Sequence, residues 1–274
     1  AERIDNLLGP EDAKPSPTHR IPETDQPEVQ AHDLAVGWPG RPTALEGVNL
    51  DLSPGKVVAI VGPSGIGKST LLYTLAGMLE PKGGQADLNG VELWGGDRDE
   101  VTHNVSLTTE DAHVFATTLY ENLRVARGDL TRDECKVLLG QVGLSDWLGS
   151  LPNGLDTLLG VGATSISGGE RRRLLLARAL ASPARLLLLD EPGEHLDAQT
   201  ADSVLKSLFE GGGTNRGLVV VTHRLTGLEA ADQVIVLRPA LSREKSATVG
   251  ANGTHAELLA SVPDYRWAAE QERA

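Results

Sequence analysis

Aromatic side chains are nearly missing from this sequence: Phe, Tyr and Trp together make up 3% of its 274 residues. Any core must therefore be built from Leu, Val, Ile and Ala. Cysteine occurs once. A lone thiol, Cys135, closes no internal disulfide, which fits a reducing compartment, and it reads as a helix-face residue without special reactivity. Cations are in deficit, with 25 Lys and Arg against 38 Asp and Glu and a net charge of −13. That balance argues against nucleic acid or an anionic membrane surface as the main partner, because both need clustered Lys and Arg. Long apolar runs are lacking as well. The best candidates, around Leu174 to Ala181 and Leu186 to Leu189, are broken by Arg178, Pro183 and Arg185, and a membrane span needs roughly 18–20 apolar residues. No long-range repeat is visible. The 40% apolar content still suffices for one large α/β domain or two small ones.

One stretch organises the rest. Val57 to Val61 is a short, mostly β-branched apolar run, followed by Gly62, Pro63, Ser64, Gly65, Ile66, Gly67, Lys68, Ser69 and Thr70, and an apolar helical pattern begins at Leu71. Strand, glycine-rich loop and helix in succession is the context that a G-x-x-x-x-G-K-[ST] match requires. Glycines let main-chain N–H groups turn inward around an anionic oxygen, and the N-terminus of the following helix adds partial positive charge. The pattern assigns Lys68 to the β- and γ-phosphates of a nucleotide and the Ser69 hydroxyl to Mg²⁺.

Read in order, the chain opens on Ala1 rather than Met, and the spacing of Ile4, Leu7 and Leu8 suggests the end of an amphipathic helix. The expectation is a piece of something longer. Residues 10 to 27 are Pro-rich, acidic and aperiodic, and read as a linker. Strand patterns cover Val29 to Val36 and Val48 to Leu52, with a turn at WPGRP between them. In that turn Trp38 suits a core or turn role and a flat platform for a nucleobase equally well. Gly83 to Leu93 reads as a hairpin turning at Asn89-Gly90, and Val105 to Thr108 as a strand with Glu110 just past its end. A helical block follows, in pieces at Leu119 to Val125, Arg132 to Val142 and Glu170 to Ala181. Then Leu186 to Leu189 runs into Asp190 and Glu191, an apolar strand that delivers carboxylates at its end. The pattern assigns Asp190 to Mg²⁺. Further strands are expected at Gly217 to Thr222, before His223, and at Val234 to Leu237 and Ala247 to Val249, with a last helix opened by Thr254. The Arg171 to Arg173 run reads as a solvated helix face, with contact to nucleotide or a neighbouring domain as the sharper alternative.

With these residues laid out, the chain from about Val29 onward resembles the nucleotide-binding domain of an ABC transporter. The specific mark is Ile166-Ser167-Gly168-Gly169-Glu170 shortly before LLLLDEP, similar to the family signature LSGGQ. The resemblance implies an α/β P-loop NTPase core with an antiparallel β subdomain and a helical subdomain, about 116–182, that carries the signature. Residues 1–28 become the end of a transmembrane-domain helix and a linker, and 29–274 the nucleotide-binding domain. It further implies that Ser167, Gly168, Gly169 and Glu170 are offered to the γ-phosphate of ATP held by a facing domain. Trp38 would stack on adenine, Glu191 polarise the attacking water and His223 contact the γ-phosphate, while Leu196-Asp197 end a loop that communicates across the dimer.

Two departures stand out. Where the family places a glutamine that senses Mg²⁺ and γ-phosphate, this sequence has Glu110. A carboxylate ~4 Å from a phosphate oxygen is repelled by roughly 1–4 kcal/mol per charge pair unless a cation lies between them, so Glu110 is expected to ligate Mg²⁺ or to stay withdrawn until ATP and metal arrive. The second is Gly193-Glu194-His195 in place of small or hydroxyl residues. The EDAHVFATTLYENLRVARGD and EPGEHLD strings resemble the CydC-type half of the heterodimeric CydDC exporters, associated with cysteine and glutathione export and cytochrome bd assembly. That resemblance implies a CydD-like partner, transmembrane domains and a place on the cytoplasmic face of a bacterial inner membrane. Rival expectations are an exporter of lipid, drug or siderophore, a soluble ABC ATPase that transports nothing, and a regulatory subunit without turnover.

Overall fold

The computed structural model describes residues 19–160, 166–211, 216–240 and 245–273. Its strands are β1 (Val29–Val36), β2 (Leu45–Leu52), β3 (Val57–Val61), β4 (Gly83–Leu88), β5 (Val91–Glu92), β6 (Val105–Thr108), β7 (Leu186–Asp190), β8 (Gly217–Thr222), β9 (Gln233–Arg238) and β10 (Ala247–Gly253). They form one sheet in the order β5-β4-β1-β2-β10-β9-β3-β8-β7-β6. From β9 to β6 every pairing is parallel, while β1, β2, β4 and β5 pair antiparallel as a wing. The wing meets the parallel half through β10, which is antiparallel to β9 and parallel to β2.

All residues of β3, β7 and β8 are buried, as expected of parallel strands covered on both faces. Alternation assigns their side chains to two layers. Val57, Ala59 and Val61 of β3 join a cluster with the helical block, and Val58 and Ile60 join a cluster with the wing and with Leu71, Leu72 and Leu75. Those three leucines lie on α1 (Lys68–Leu75). The other helices are α2 (Arg98–Asn104), α3 (Leu119–Arg124), α4 (Arg132–Gln141), α5 (Ser145–Ser150), α6 (Gly168–Ala181), α7 (Ala198–Gly211), α8 (His255–Ser261) and α9 (Pro263–Arg273).

The starts of α4, α6 and α8 share one chemistry. Thr131 with Glu134, Ser167 with Glu170 and Thr254 with Glu257 each form a reciprocal capping box, in which hydroxyl and carboxylate satisfy the first free N–H groups. The hairpin turn falls where expected, with Asn89 and Gly90 both at positive φ, the type I′ geometry that matches strand twist.

Several elements depart from the sequence reading. Helix α1 starts at Lys68 rather than Leu71, so its first turn is the polar end of the phosphate loop itself. Helices α2 and α5 escape the pattern because neither carries an apolar stripe: α2 buries only Val101 and Asn104, and α5 buries nothing. Helix α8 is not the last, since α9 follows with Pro263 at its first position and Tyr265 and Ala269 buried. The segment read as linker packs in part: Ile21 is buried, its N–H donates to Glu100 Oε2 at 2.7 Å, and the carbonyl of Pro22 accepts from Asn89 Nδ2 at 2.8 Å. The Ile4, Leu7, Leu8 pattern lies outside the described residues. Cys135 is buried on α4, as a helix-face residue of low reactivity should be, and burial pushes its thiol pKa up.

Candidate nucleotide site

Parallel register assembles the site. Val61 pairs with Thr222, Asp190 with Val221 and Thr108 with Leu189, so β3, β8, β7 and β6 end along one edge. Gly62, His223, Glu191 and Glu110 are therefore delivered to the same rim, the usual ligand edge of a parallel sheet.

At that rim the loop of residues 62–67 turns from β3 into α1. Gly67 holds φ 105° at the helix start, a conformation that L side chains rarely adopt. A Cβ on Gly62 would lie 2.9 Å from Leu237 Cβ, so β9 presses directly on the loop. Ile66 is buried and anchors the loop in the wing cluster, while Pro63, Ser64, Gly65 and Ser69 are exposed and Thr70 is buried at the base of α1. Lys68 is buried, and its Nζ donates to the carbonyls of Gly62 and Pro63 at 2.8 and 3.1 Å. It also lies 3.5 Å from Glu191 Oε1.

Glu191 is the hub of the site. Its backbone sits at φ 48°, unusual for a residue with a long side chain and a mark of local strain at functional positions. Its N–H donates to Val221 O at 2.9 Å, continuing the β7–β8 ladder by one residue. Its Oε2 accepts the N–H of His223 at 3.2 Å and lies 3.0 Å from His223 Nδ1. One carboxylate thus bridges the phosphate-loop lysine and the histidine after β8.

Asp190 is buried at the end of β7. Burial raises its carboxyl pKa, opposed by a hydrogen bond from Ser69 and by the charges of Arg172 and Lys68. The Ser69 hydroxyl and the Asp190 carboxylate are hard oxygen donors of the kind Mg²⁺ takes, so the residues present fit that ion. Glu110 is exposed on the turn after β6. Among the described residues the one cluster of three potential metal-binding side chains of the His, Cys, Asp or Glu type is instead Glu191, Glu194 and His223, with ligand atoms within 4.8 Å. Lys68 beside Glu191 already supplies a cation there.

Trp38 lies in the turn after β1, 50% exposed, with its ring 5.7 Å from that of Tyr73 on α1. The structure thus sets a half-open indole beside the helix that begins in the phosphate loop. The sequence reading passed over Tyr73.

Ser167 caps α6, and Gly168, Gly169 and Glu170 form its first turn. The capping box turns the Ser167 hydroxyl and the Glu170 carboxylate toward the helix's own N–H groups, at 3.2 and 2.7 Å. A Cβ on Gly169 would lie 3.3 Å from Leu196 Cδ2, so this turn rests against the segment after Glu191. Among the described residues no hydrogen bond or ion pair joins Ser167 through Glu170 to the phosphate loop of the same chain, so the structure does not bring these two expected parts together.

The solvated-face reading of Arg171 to Arg173 is corrected at its middle residue. Arg172 is 5% exposed and donates to the carbonyls of Glu110, Asp190 and Glu191. The missed signal was periodicity: Arg172, Leu175, Leu176 and Ala179 follow i, i+3, i+4, i+7 spacing, and all four are buried. Arg171 donates to Ala112 O at 2.6 Å and Arg173 to Gly143 O at 2.7 Å, so these two tie α6 to its neighbours.

Comparison with known proteins defines the class. The ABC transporter family model matches residues 45–194, more than half of the chain. This chain belongs to the ABC transporter family, and its class is that family's ATP-binding, ATP-hydrolysing domain. A solved bacterial Atm1-family ABC exporter with ATP bound aligns with a TM-score of 0.85 at 25% identity, over 100% of this chain and 47% of that one. Among curated relatives, the glutathione/L-cysteine transport system ATP-binding/permease protein CydC of Haemophilus influenzae is 38% identical over 217 residues, covering 78% of this chain and 38% of that protein. Its Escherichia coli counterpart is 36% identical over 269 residues, covering 97% and 45%. The ATP-dependent lipid A-core flippase of Thiobacillus denitrificans is 31% identical over 270 residues, also covering 97% and 45%. The chain spans less than half the length of each of these relatives.

Proposed function

We infer that this chain is the ATP-driven half of a CydC-type exporter subunit, working with a CydD-like partner to move cysteine- or glutathione-class thiols, with a role in cytochrome bd assembly. The observation that carries this reading is the pair of CydC relatives at 38% and 36% identity. On this reading residues 29–274 form the nucleotide-binding domain, residues 1–28 lead from a transmembrane domain, and the domain lies at the cytoplasmic face of a bacterial inner membrane. Among the described residues no helix is long and apolar enough to cross a membrane.

In this mechanism ATP binding closes two domains on each other, each phosphate loop facing the other's signature turn, and closure drives the membrane helices between access states. Main-chain N–H groups of residues 64–67 and the Lys68 ammonium hold the β- and γ-phosphates, and Trp38 carries the base. Magnesium, when bound, neutralises phosphate charge, with Ser69, Asp190 and Glu110 as its holders. Glu191 takes the proton of the attacking water, and His223 orients Glu191 and steadies charge on the transferred group. Lys68 must leave Glu191 for phosphate oxygen before Glu191 is free to act, which couples nucleotide arrival to activation of the base.

The lipid A-core flippase, at 31% identity, supports a second reading, export of a lipid. Reconstituting the full-length subunit with its partner in liposomes separates the two. The thiol reading expects ATPase stimulated by cysteine or glutathione, together with ATP-dependent thiol movement. Stimulation by lipid A alone would overturn it.

A further inference from the structure

Arg172 is the most deeply buried charged side chain outside the set already given a role, at 5% exposure. Its fork reaches two chain segments at once. On one side Nη1 donates to Glu110 O at 3.0 Å and reaches Thr109 O at 3.5 Å. On the other, Nε donates to Glu191 O at 2.9 Å, and Nη2 contacts the carbonyls of Asp190 and Glu191. Both segments lie at strand ends, where the carbonyls of Thr109 and Glu191 already accept the turn N–H groups of Ala112 and Glu194 at 3.3 and 3.0 Å, and each offers a second lone pair to the guanidinium. Glu191 is also the residue at φ 48°, and the guanidinium meets its carbonyl. Burial lowers the Arg172 pKa, while the surrounding charges of Glu110, Asp190, Glu191 and Glu194 raise it, so the cation is also a counter-charge to the acidic rim. Arg172 lies about one and a half helical turns from Ser167 on α6, the helix that Ser167 caps.

We propose that Arg172 is a positioning residue that locks the Glu110 turn and the Glu191 backbone to each other and to the signature helix, so that the two carboxylates flanking the ion site move as one unit with Ser167. The role rests on the assignment of Glu191 as base. Only a fork with several fixed donors serves both segments; Gln and Lys offer fewer donors without that geometry. A displacement of Glu191 costs rate rather than nucleotide affinity, because its carboxylate acts on water in the transition state.

The test compares wild type, Arg172→Gln and Arg172→Lys in the full-length subunit assembled with its transport partner. Amide hydrogen exchange is read without nucleotide, and ATPase kinetics are measured separately. In Arg172→Gln, exchange should accelerate together in residues 109–112 and 191–194 while β3 and β8 stay protected. Its kcat should fall about ten- to a hundredfold with KM for ATP within about twofold of wild type. Arg172→Lys should be intermediate in both readouts. Acceleration in only one segment, or in neither, would overturn the proposal, as would loosened segments with unchanged kcat. Exchange raised throughout β3 and β8 in both variants would make Arg172 a fold-stabilising residue and also overturn it. A wild-type pair that hydrolyses no ATP would sink the functional reading instead, and would leave the exchange comparison to decide the linkage.

Discussion

At the scale of single residues, the site is held together by charge that the fold tolerates at a cost. Lys68, Asp190 and Arg172 are all buried, and two of them have pKa values moved toward the neutral form by burial. Asp190 shows the conflict most plainly. A carboxyl whose folded pKa lies above its unfolded value subtracts stability at pH above both values, and that penalty is relieved as pH falls through the folded pKa. Asp190→Asn removes the penalty while keeping the shape and an amide for Ser69. It should raise Tm at neutral pH by about 2–4 °C, the shift that roughly 1 kcal/mol produces in a domain of this size, and abolish Mg²⁺-dependent hydrolysis. Calorimetry and an ATPase assay on the same preparation check both halves, and an unchanged or lowered Tm contradicts the assignment of cause. Such exchange of stability for function is common at sites that need a buried charge.

The site residues were legible in the sequence to different depths. Phosphate-loop and strand-end residues announce themselves because glycine, lysine and carboxylate spacing follows directly from the chemistry of binding phosphate. What hid was the geometry between segments. The Lys68, Glu191 and His223 bridge depends on the register of three parallel strands, and nothing local to any of these residues encodes it. Arg172 is hidden because its charge suggests a solvated face, whereas its helical phase places it with Leu175, Leu176 and Ala179.

Among elements, capping contacts decide how firmly a helix start is held. Helix α4 begins with the Thr131 and Glu134 capping box, and Arg127 also pairs with Glu134. Backbone and side-chain hydrogen bonds from Thr131, then Arg127, depress the Glu134 carboxyl pKa to about 2. Because the folded pKa is lowered, this stabilisation is complete above the ordinary carboxylate range and disappears as pH falls toward 2. Exchange protection at the start of α4 should fall over that window, and Thr131→Ala should lose about 1 kcal/mol of helix stability at neutral pH. A Thr131→Ala protein as stable as wild type at neutral pH would count against the box.

Helix α9 acts on the rim from the other end of the chain. Glu272 Oε2 accepts the N–H groups of Leu225 and Thr226 at 2.6 and 3.1 Å, just after His223. Glu272→Ala should therefore speed exchange at residues 224–226 and lower ATPase a fewfold; protection equal to wild type there would show that α9 does not hold the His223 segment. The sequence does not reveal this contact, since the helix opened by Thr254 is expected there to be the last. Only Tyr265 and Ala269, spaced for one helical face, hint at its packing.

For the whole molecule, the sequence made the large divisions readable: apolar strands buried on both faces, a hairpin announced by Asn89-Gly90, and a helical block between two halves of the sheet, while the antiparallel wing was implied by the family resemblance. It was silent on strand order, because β10 joins wing to core through only two register pairs with β2. The same architecture accounts for the placement of the Ser167 turn. It lies on α6, packed against the segment after Glu191 at Gly169, and among the described residues no hydrogen bond or ion pair joins it to its own phosphate loop. Under the proposed function, a γ-phosphate held by residues 62–70 would meet the signature turn of a second domain rather than that of this chain.

That assignment is tested most directly by solving the full-length pair with ATP bound and Glu191→Gln blocking turnover. The account predicts a closed arrangement with the Ser167 turn of this chain within hydrogen-bond distance, about 3 Å, of the γ-phosphate held by the partner's phosphate loop. An ATP-loaded pair in which the Ser167 turn faces solvent, away from every γ-phosphate, would contradict it.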